Sequence, residues 1–198
     1  MQTEVEAKFL DIDTKEMRKK LSSPKAKLLH EERLMKRKNF DYPDGRLDKI
    51  NGWVRLRDEG DQVTLAYKQL LNRTIEGTRE VSLTVSDFNT TCDLLLAIGL
   101  VNKSYHETKR ERWDLNGVEV TIDTWPWIPS FMELEGSHEQ KLKDVASVLG
   151  IDWSAALHGS VETAYQTYYN VTEKEVDSWE SITFVPVPNW LEIKRKNH

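Results

Sequence analysis

Apolar and polar residues alternate with a period of two through six short segments of the chain. The first segment, residues 3–9, places Val5 and Ala7 on one side and Glu4 and Glu6 on the other. Because successive side chains of a strand point to opposite faces, this alternation predicts a half-buried β-strand. The same pattern predicts five further strands, at residues 53–57, 63–68, 79–85, 118–123 and 131–135.

Two longer segments, residues 26–40 and 101–114, have the length of strands but a less regular pattern. Helical spacing of apolar residues predicts four helices, at residues 14–21, 87–98, 138–149 and 160–169. About eight strands with a few helices predict an α+β fold with antiparallel strands. Closure of these strands into an eight-stranded antiparallel β-barrel with flanking helices would remove the exposed sheet edges.

The polar faces of the predicted strands are sorted by the sign of their charge. Two strands carry paired carboxylates two residues apart, Glu4 with Glu6 and Glu133 with Glu135. Other positions offer cations, namely Lys8, Arg55, Arg57, Lys68 and one of the cluster Lys109, Arg110 and Arg112. An ordinary solvated face would mix these charges, and each pair alone is a common surface feature. The joint pattern favours a shared cavity.

Carboxylates and cations in one cavity are typical of a site for a polyanion and its metal ion. Two carboxylates at i and i+2 of a strand project to the same side and repel each other unless a cation lies beside them. Oxygen ligands of this kind suit Mg²⁺ or Mn²⁺, and arginine binds phosphate oxygens in a bidentate manner.

Composition limits the remaining classes of protein. The 198 residues include 28 Lys and Arg against 33 Asp and Glu, so the net charge of −5 argues against a general nucleic-acid binder. The short basic runs Lys36–Lys38 and Lys194–Lys196 are typical of solvated faces. A single cysteine, Cys92, excludes an internal disulfide and fits a reducing compartment. No signal peptide and no membrane-spanning run is evident, so we expect a soluble cytoplasmic protein.

The motif Glu4-Val5-Glu6-Ala7-Lys8 resembles the signature of the CYTH family, also called triphosphate tunnel metalloenzymes. The resemblance continues in order through residues 39–57, which end in the Arg55-x-Arg57 strand, and through Leu65–Lys68. It closes with Lys109-Arg110, Asp123 and Glu133-Leu134-Glu135. The family's fold is an eight-stranded antiparallel barrel whose lumen binds a triphosphate and a divalent metal. The resemblance implies a tunnel domain over residues 1–170, followed by a C-terminal extension over residues 171–198.

The resemblance implies a role for each matching residue. Metal binding, by Mg²⁺ or Mn²⁺, falls on Glu4, Glu6, Glu133 and Glu135, with Asp123 as a helper. Phosphate binding falls on Lys8, Arg55, Arg57, Lys68, Lys109 and Arg110. Catalysis falls on Glu6, Lys8 and Lys68.

Two departures from the family pattern affect these expectations. Many relatives carry Arg-x-Glu-x-Glu on the fourth acidic strand, but here Ser82 and Thr84 follow Glu80, which puts one carboxylate contact and the metal count in doubt. The glycine-rich turn before the last acidic pair is replaced by residues 125–130, Trp-Pro-Trp-Ile-Pro-Ser. This segment either shapes the tunnel mouth or packs in the core, and core packing is favoured.

Three functions remain open. The first is a metal-dependent phosphohydrolase acting on a linear triphosphate, either tripolyphosphate or an organic triphosphate such as ATP. The second is a class IV-type adenylyl cyclase, which makes cyclic AMP and pyrophosphate from ATP. The third is a triphosphate-binding module without turnover. The expected partner is thus a triphosphate-bearing small molecule, and the oligomeric state is open, a homodimer included.

Overall fold

The computed structural model describes residues 1–197, over which nine strands and six helices follow one another. The strands are β1 (Gln2–Phe9), β2 (Ala26–Asp41), β3 (Gly52–Asp58), β4 (Val63–Leu70), β5 (Thr78–Val85), β6 (Val101–Leu115), β7 (Val118–Thr124), β8 (Phe131–Gly136) and β9 (Ser181–Ile182). The helices are α1 (Thr14–Leu21), α2 (Phe88–Ala97), α3 (Glu139–Leu149), α4 (Glu162–Tyr168), α5 (Glu173–Asp177) and α6 (Asn189–Glu192). Each predicted strand lies within an observed one.

Eight of the strands form a closed antiparallel barrel, as predicted. The strand order is β2-β3-β4-β5-β1-β8-β7-β6, and β6 pairs again with β2 to complete the circle. The two long segments whose pattern was irregular are the strands that make this closure. Three register shifts interrupt their pairing, between Leu28 and His30, His30 and Arg33, and Asn39 and Phe40, counted on β2. These shifts explain why the alternation of β2 is not regular in the sequence.

The hydrophobic core lies outside the barrel wall rather than within it. The apolar faces of β1, β7 and β8 pack beneath α1 and α3, with Ala7, Val120 and Leu134 fully buried there. A second layer forms under α2, where Phe40 and Leu56 are fully buried. Because alternate side chains of a strand point to opposite faces, the polar faces of the same strands point into the barrel.

Two glycines are needed by the geometry of this wall. The β6–β7 hairpin turns at Asn116 and Gly117, which both have positive φ, at 56° and 75°. Paired left-handed residues of this type are the hairpin turn that fits the twist of the flanking strands. A Cβ atom on Gly136 would lie 2.8 Å from the Leu142 side chain, so glycine lets α3 approach β8 closely.

The C-terminal segment, from Val171 to Asn197, packs against the barrel through an aromatic cluster. The ring centroids of Trp127 and Trp190 each lie within about 6 Å of that of Trp179, at 6.0 Å and 5.2 Å. Strand β9 pairs in parallel with β6 at Tyr105 and His106. His198, the last residue of the predicted extension, lies outside the described residues.

Three basic residues of this segment, Lys194, Arg195 and Lys196, bind within the chain. Lys194 and Arg195 pair with glutamates, and Lys196 donates to the Gln166 carbonyl. None of the helices in residues 1–197 combines the length and the apolar character needed to cross a bilayer.

The packing of α3 on the barrel predicts a large loss of stability for Leu142→Ala. Leu142 is fully buried against the wall, so its truncation removes apolar contacts and leaves a cavity. We expect the free energy of unfolding to fall by about 3 kcal/mol, measured by urea denaturation. Val148→Ala, at an exposed position of the same helix, should change it by less than about 0.5 kcal/mol. Equal effects of the two substitutions would contradict this packing.

Candidate active site

The acidic side of the tunnel is built from β1 and β8, which pair in register. Glu6 lies opposite Glu135, and Lys8 lies opposite Glu133. On β1 the apolar Val5 and the other odd-numbered residues face the outer helices, so the even-numbered charged residues face inward. The register therefore places the two acidic motifs of the sequence side by side.

Lys8 is the most enclosed cation of the tunnel. Its Nζ lies 3.4 Å from Glu6 and 3.2 Å from Glu133, and it donates a 2.6 Å hydrogen bond to the Gly159 carbonyl. Burial alone would lower the pKa of Lys8, but the two carboxylates outweigh it and raise the pKa above its ordinary value. Lys8 therefore carries a fixed positive charge at neutral pH. The pKa of Glu133 is lowered to about 2, because Lys8 and Arg110 outweigh the effect of its burial.

A second ion-pair group joins β1, β4 and β5. Lys68 Nζ lies 2.8 Å from Glu4 and 2.9 Å from Glu80. Glu80 also contacts Arg55, at 3.5 Å. Burial raises the pKa of Glu4 to about 7, against the opposing effect of Lys68, whereas Lys68 and Arg55 overcome burial and lower the pKa of Glu80 to about 2. Glu80, which the sequence analysis left without a role, thus orients two predicted phosphate ligands.

A third group is centred on Arg110. It makes a two-pronged contact with Asp123, at 2.6 and 2.9 Å, and reaches Glu133 at 2.7 Å. Thr121 donates a further hydrogen bond of 2.6 Å to Asp123. Asp123 is fully buried and faces the tunnel, but the structure gives it an arginine and a threonine as partners.

Lys109 is the one predicted phosphate ligand that the structure does not bring to the tunnel. Neighbouring residues of a strand point to opposite faces, and Arg110 occupies the inward face of β6. The Lys109 ammonium lies outside the barrel, 5.3 Å from the centre of the Phe184 ring. The Lys109 assignment is corrected accordingly.

Arg37 is a tunnel residue, although the sequence analysis placed it with Lys36 and Lys38 on a solvated face; for Arg37 that prediction is wrong. It lies opposite Arg57 on β3, donates to the Thr108 hydroxyl at 3.2 Å and stacks 4.6 Å from the centre of Trp125. Within residues 1–197 no carboxylate lies at salt-bridge distance from it. Burial lowers the pKa of Arg37, and the nearby Arg57, Arg55 and Arg110 lower it further. Because its strand contains register shifts, counting by twos along the sequence could not place it.

The segment around Trp125 packs in the core, as the sequence analysis favoured. Trp125 is buried between Arg37, His106 and Tyr165. The Tyr169 hydroxyl donates to the Trp127 carbonyl at 2.6 Å, which fixes a residue with a φ of 71°. Trp125 therefore packs against the guanidinium group of Arg37, which points into the tunnel.

Two further carboxylates were missed. Glu59, in the β3–β4 turn, accepts two hydrogen bonds from Arg57, at 2.5 and 2.9 Å, and is almost fully buried. Glu119 on β7 lies opposite Glu135, which itself lies opposite Glu6. Burial raises the pKa of Glu135, and the charges of Glu119 and Glu6 raise it further. The sequence analysis named no role for Glu119, and the structure pairs it with Arg112 at 2.6 Å.

A divalent metal ion in the tunnel would have to be held by this row of carboxylates. Over residues 1–197, the structure contains no group of three or more His, Cys, Asp or Glu side chains already arranged as a metal site. The donor set nevertheless fits a hard divalent cation, because Glu6, Glu135 and Glu119 occupy directly opposed positions on three neighbouring strands. Burial is the main cause of the raised pKa of Glu135, and the repulsion from Glu119 and Glu6 adds to it; a bound cation would offset both.

A segment between α3 and α4 lies against the charged strand β1. Lys8 and Leu157 exchange two backbone hydrogen bonds, each of 2.9 Å, and the His158 ring lies 3.2 Å from the Glu6 carbonyl. Next to it, burial raises the pKa of Glu162 to about 8, and Asp177 raises it as well. This segment holds the inward residues of β1 in place from one side.

Comparison with known proteins agrees with this architecture. A family model described as CYTH domain matches residues 2–169. A proposed adenylate cyclase from Vibrio parahaemolyticus is similar at a TM-score of 0.72 and 14% identity, over 83% of this chain and 98% of that one. A conserved hypothetical protein from Pyrococcus furiosus is similar at a TM-score of 0.64 and 21% identity, over 78% of this chain and 94% of that one. Comparison with curated proteins gives no match.

A third similar structure combines both activities in its description. It is a proposed adenylyl cyclase from Hippeastrum with a dominant triphosphatase activity, at a TM-score of 0.53 and 14% identity, over 89% of this chain and 95% of that one. At these identities the likeness is one of fold.

The Arg57–Glu59 pair predicts a pH-dependent contribution to stability. The pKa of Glu59 is lowered from 4.5 to about 2, because Arg57 and hydrogen bonds from Thr64 and Gln62 outweigh burial. Because the pKa of Glu59 is lower in the folded state than in the unfolded state, its ionised form stabilises the fold at pH values above the unfolded pKa of 4.5. This stabilisation is lost as the pH falls towards 2. Glu59→Gln should therefore cost about 2 kcal/mol at pH 7 and clearly less at pH 3.

Urea denaturation of both proteins at the two pH values measures this difference. Asp144→Asn, at an exposed position of α3, serves as the control and should show no such trend. A stability gap for Glu59→Gln that is the same at both pH values would refute the pairing argument.

Proposed function

Because the chain belongs to the CYTH family, we propose that it is a divalent-metal-dependent phosphohydrolase acting on a linear triphosphate held in the tunnel. One observation carries the proposal. Arg37 lies opposite Arg57 inside the barrel and makes no salt bridge to a carboxylate among the described residues. Burial lowers its pKa, the nearby Arg57, Arg55 and Arg110 lower it further, and Asp123 only partly opposes them. Such an arrangement is costly unless a polyanion is bound.

The phosphate chain would be bound by the inward cations. Arg37, Arg55 and Arg57 line neighbouring strands and offer planar donor groups that match phosphate oxygens. Burial lowers the pKa of Arg57 to about 10, with Arg55 acting in the same direction, so its charge persists at neutral pH. Lys68 would exchange one of its two carboxylate contacts for a phosphate oxygen.

The carboxylates would hold the metal ion. Glu6, Glu135 and Glu119 form the fitting donor set, whereas Glu133 and Asp123 orient Lys8 and Arg110. A bound Mg²⁺ or Mn²⁺ would supply charge neutralisation at the scissile phosphate and lower the pKa of a coordinated water. The protein needs no covalent nucleophile, since phosphoryl transfer is catalysed mainly by positioning and charge stabilisation.

The residues of this chain would then stabilise negative charge on the phosphate and accept a proton from the attacking water. Lys8, whose pKa is raised, keeps its proton and stabilises negative charge on the transferred group. Glu4, with a pKa raised to about 7, can accept a proton from an attacking water near neutral pH. Glu6, adjacent to Lys8, would orient that water.

A cavity beside the acidic strands offers no stacking surface for a nucleotide base, and on this ground we prefer hydrolysis to the cyclase reaction. A cavity of about 500 Å³ lies between β1, β5 and β8, beside Glu4, Glu80 and Glu135. Among its described lining residues there is no aromatic ring on which an adenine could stack.

Product analysis tests the proposed reaction. We expect the purified protein with Mg²⁺ or Mn²⁺ to convert tripolyphosphate to pyrophosphate and phosphate, and to give ADP and phosphate from ATP. Glu6→Gln and Lys68→Met should each lower kcat/KM by about 100-fold or more, whereas Lys109→Met should leave it unchanged. Cyclic AMP as the main product would overturn the proposal, and tight binding without turnover would identify a binding module.

Arg37 gives a separate prediction that distinguishes binding from folding. Arg37→Met should weaken tripolyphosphate binding by about 10- to 100-fold, since one charge-assisted contact is lost. It should not lower the melting temperature, because a repelling buried charge is removed. Isothermal titration and thermal denaturation measure the two effects, with Lys36→Met, an exposed neighbour, as the control. Unchanged affinity in Arg37→Met would place Arg37 outside the binding site.

A further inference from the structure

His106 is a buried residue on the inner face of β6. From Ser104 to Arg110, β6 pairs with β2 without a register shift. Because alternate side chains of a strand share a face and Arg110 points into the tunnel, His106 points inward as well. Both ring nitrogens of His106 are buried, and neither has a hydrogen-bond partner within residues 1–197.

The unpaired ring of His106 contrasts with its neighbours on the same face. The Thr108 hydroxyl accepts a hydrogen bond from Arg37, and the Ser104 hydroxyl accepts one from Asn39. Buried polar groups are nearly always hydrogen-bonded, because an unpaired one costs free energy. His106 is therefore a group whose partner the described chain does not supply.

The surroundings of His106 indicate the charge of the missing partner. In the register of β2 and β6, His106 lies opposite Arg37, and Trp125 packs against both, with its ring centroid 5.8 Å from that of His106. On β9 the residue paired with His106 is the apolar Ile182, and Tyr165 lies behind Trp125. Over residues 1–197 no carboxylate lies at salt-bridge distance from His106 or Arg37. The group that both side chains lack is an anion.

The charge state of His106 depends on whether this anion is present. Burial, with the charge of Arg37 acting in the same direction, lowers the pKa of His106 from 6.5 to about 3. The ring is therefore neutral at physiological pH, with one nitrogen that donates and one that accepts. A phosphate bound to Arg37 would replace the repelling positive charge by a negative one, which favours the protonated ring.

We propose that His106 is a further substrate-binding residue of the tunnel, which donates a hydrogen bond to a phosphate oxygen held by Arg37 and takes up a proton from solvent as that phosphate binds. The inference rests on the proposed function, because the triphosphate of that function supplies the anion. The empty tunnel thereby avoids a second buried cation beside Arg37, and the occupied tunnel gains one.

Isothermal titration with tripolyphosphate and EDTA, where no metal-dependent turnover occurs, tests the proposal. His106→Gln keeps a neutral N–H donor but cannot gain a charge. We expect this variant to bind within about threefold of the wild type at pH 8 and about tenfold more weakly than the wild type at pH 5.5. The tenfold difference follows if the pKa of the bound ring returns to its ordinary value of 6.5, one pH unit above the measurement.

His138→Gln is the matched control, because it makes the same replacement at an exposed histidine that precedes α3. It should follow the wild type at both pH values. Tripolyphosphate changes its own protonation over this range, so the quantity to compare is the ratio of the two dissociation constants at each pH. A ratio for His106→Gln that is the same at pH 8 and pH 5.5 would overturn the proposal.

NMR of the histidine Cε1–H groups in the wild type gives a second measurement, which does not depend on the folding of a variant. The His106 resonance should report a neutral ring from pH 8 to pH 5.5 in the free protein. In the protein saturated with tripolyphosphate, the same resonance should shift towards the protonated form as the pH falls. A ring that stays neutral in the saturated complex at pH 5.5 contradicts proton uptake.

The outcomes separate this inference from the proposed function. Binding of tripolyphosphate with the expected pH dependence but without turnover of the metal complex would support the role of His106 and refute the hydrolase. Normal turnover with a ratio that does not change with pH would refute the role of His106 alone. A wild type that does not bind tripolyphosphate at either pH would refute both.

Discussion

A charged side chain removed from water needs an opposite charge, and the inside of this barrel wall carries a connected set of buried ion pairs. Lys8, Lys68 and Arg110 are each held between two carboxylates. In turn, the pKa values of Glu80 and Glu133 are lowered despite burial, because cations lie close to both carboxylates. The tunnel is therefore a balanced network in which a change of partner at one residue alters the charge of the next.

The balance is incomplete at two places, and these define the binding chemistry. Arg37 adds a positive charge among three other arginines, which favours an anion with several closely spaced charges. Glu135 makes no salt bridge among the described residues and lies between Glu6 and Glu119 on neighbouring strands, which favours a divalent cation. A triphosphate with its metal ion satisfies both requirements at once. The apolar layer outside the wall makes this polar interior possible, because helices rather than the lumen cover the hydrophobic faces of the strands.

Most of the barrel could be predicted because one periodicity controls it. Alternation assigned Glu4, Glu6 and Lys8 to one face, and the opposition of the two acidic motifs follows from the register of β1 and β8. Alternation alone does not decide between Lys109 and Arg110, because either side chain could point inward. The register of β6 with β7, which pairs Arg110 with Asp123, decides it. Irregular pairing hid Arg37 for a related reason.

Other parts of the site depend on contacts between distant segments, which a local pattern does not contain. Glu59 lies in a turn, outside any alternation, and is defined by Arg57 folding back on it. The backbone bonds between Lys8 and Leu157 join residues that are far apart in the sequence. The boundary between a tunnel domain and a C-terminal extension stays a prediction, since β9 and the tryptophan cluster pack directly on the barrel.

A crystal structure with tripolyphosphate and Mn²⁺, recorded at a wavelength where manganese scatters anomalously, tests the central claim most directly. The account predicts a triphosphate chain in the lumen with phosphate oxygens at hydrogen-bond distance from Arg37, Arg55 and Arg57, and an anomalous peak beside Glu6 and Glu135. A ligand bound on the outer surface, with the inward arginines and carboxylates still paired to each other as they are here, would contradict it.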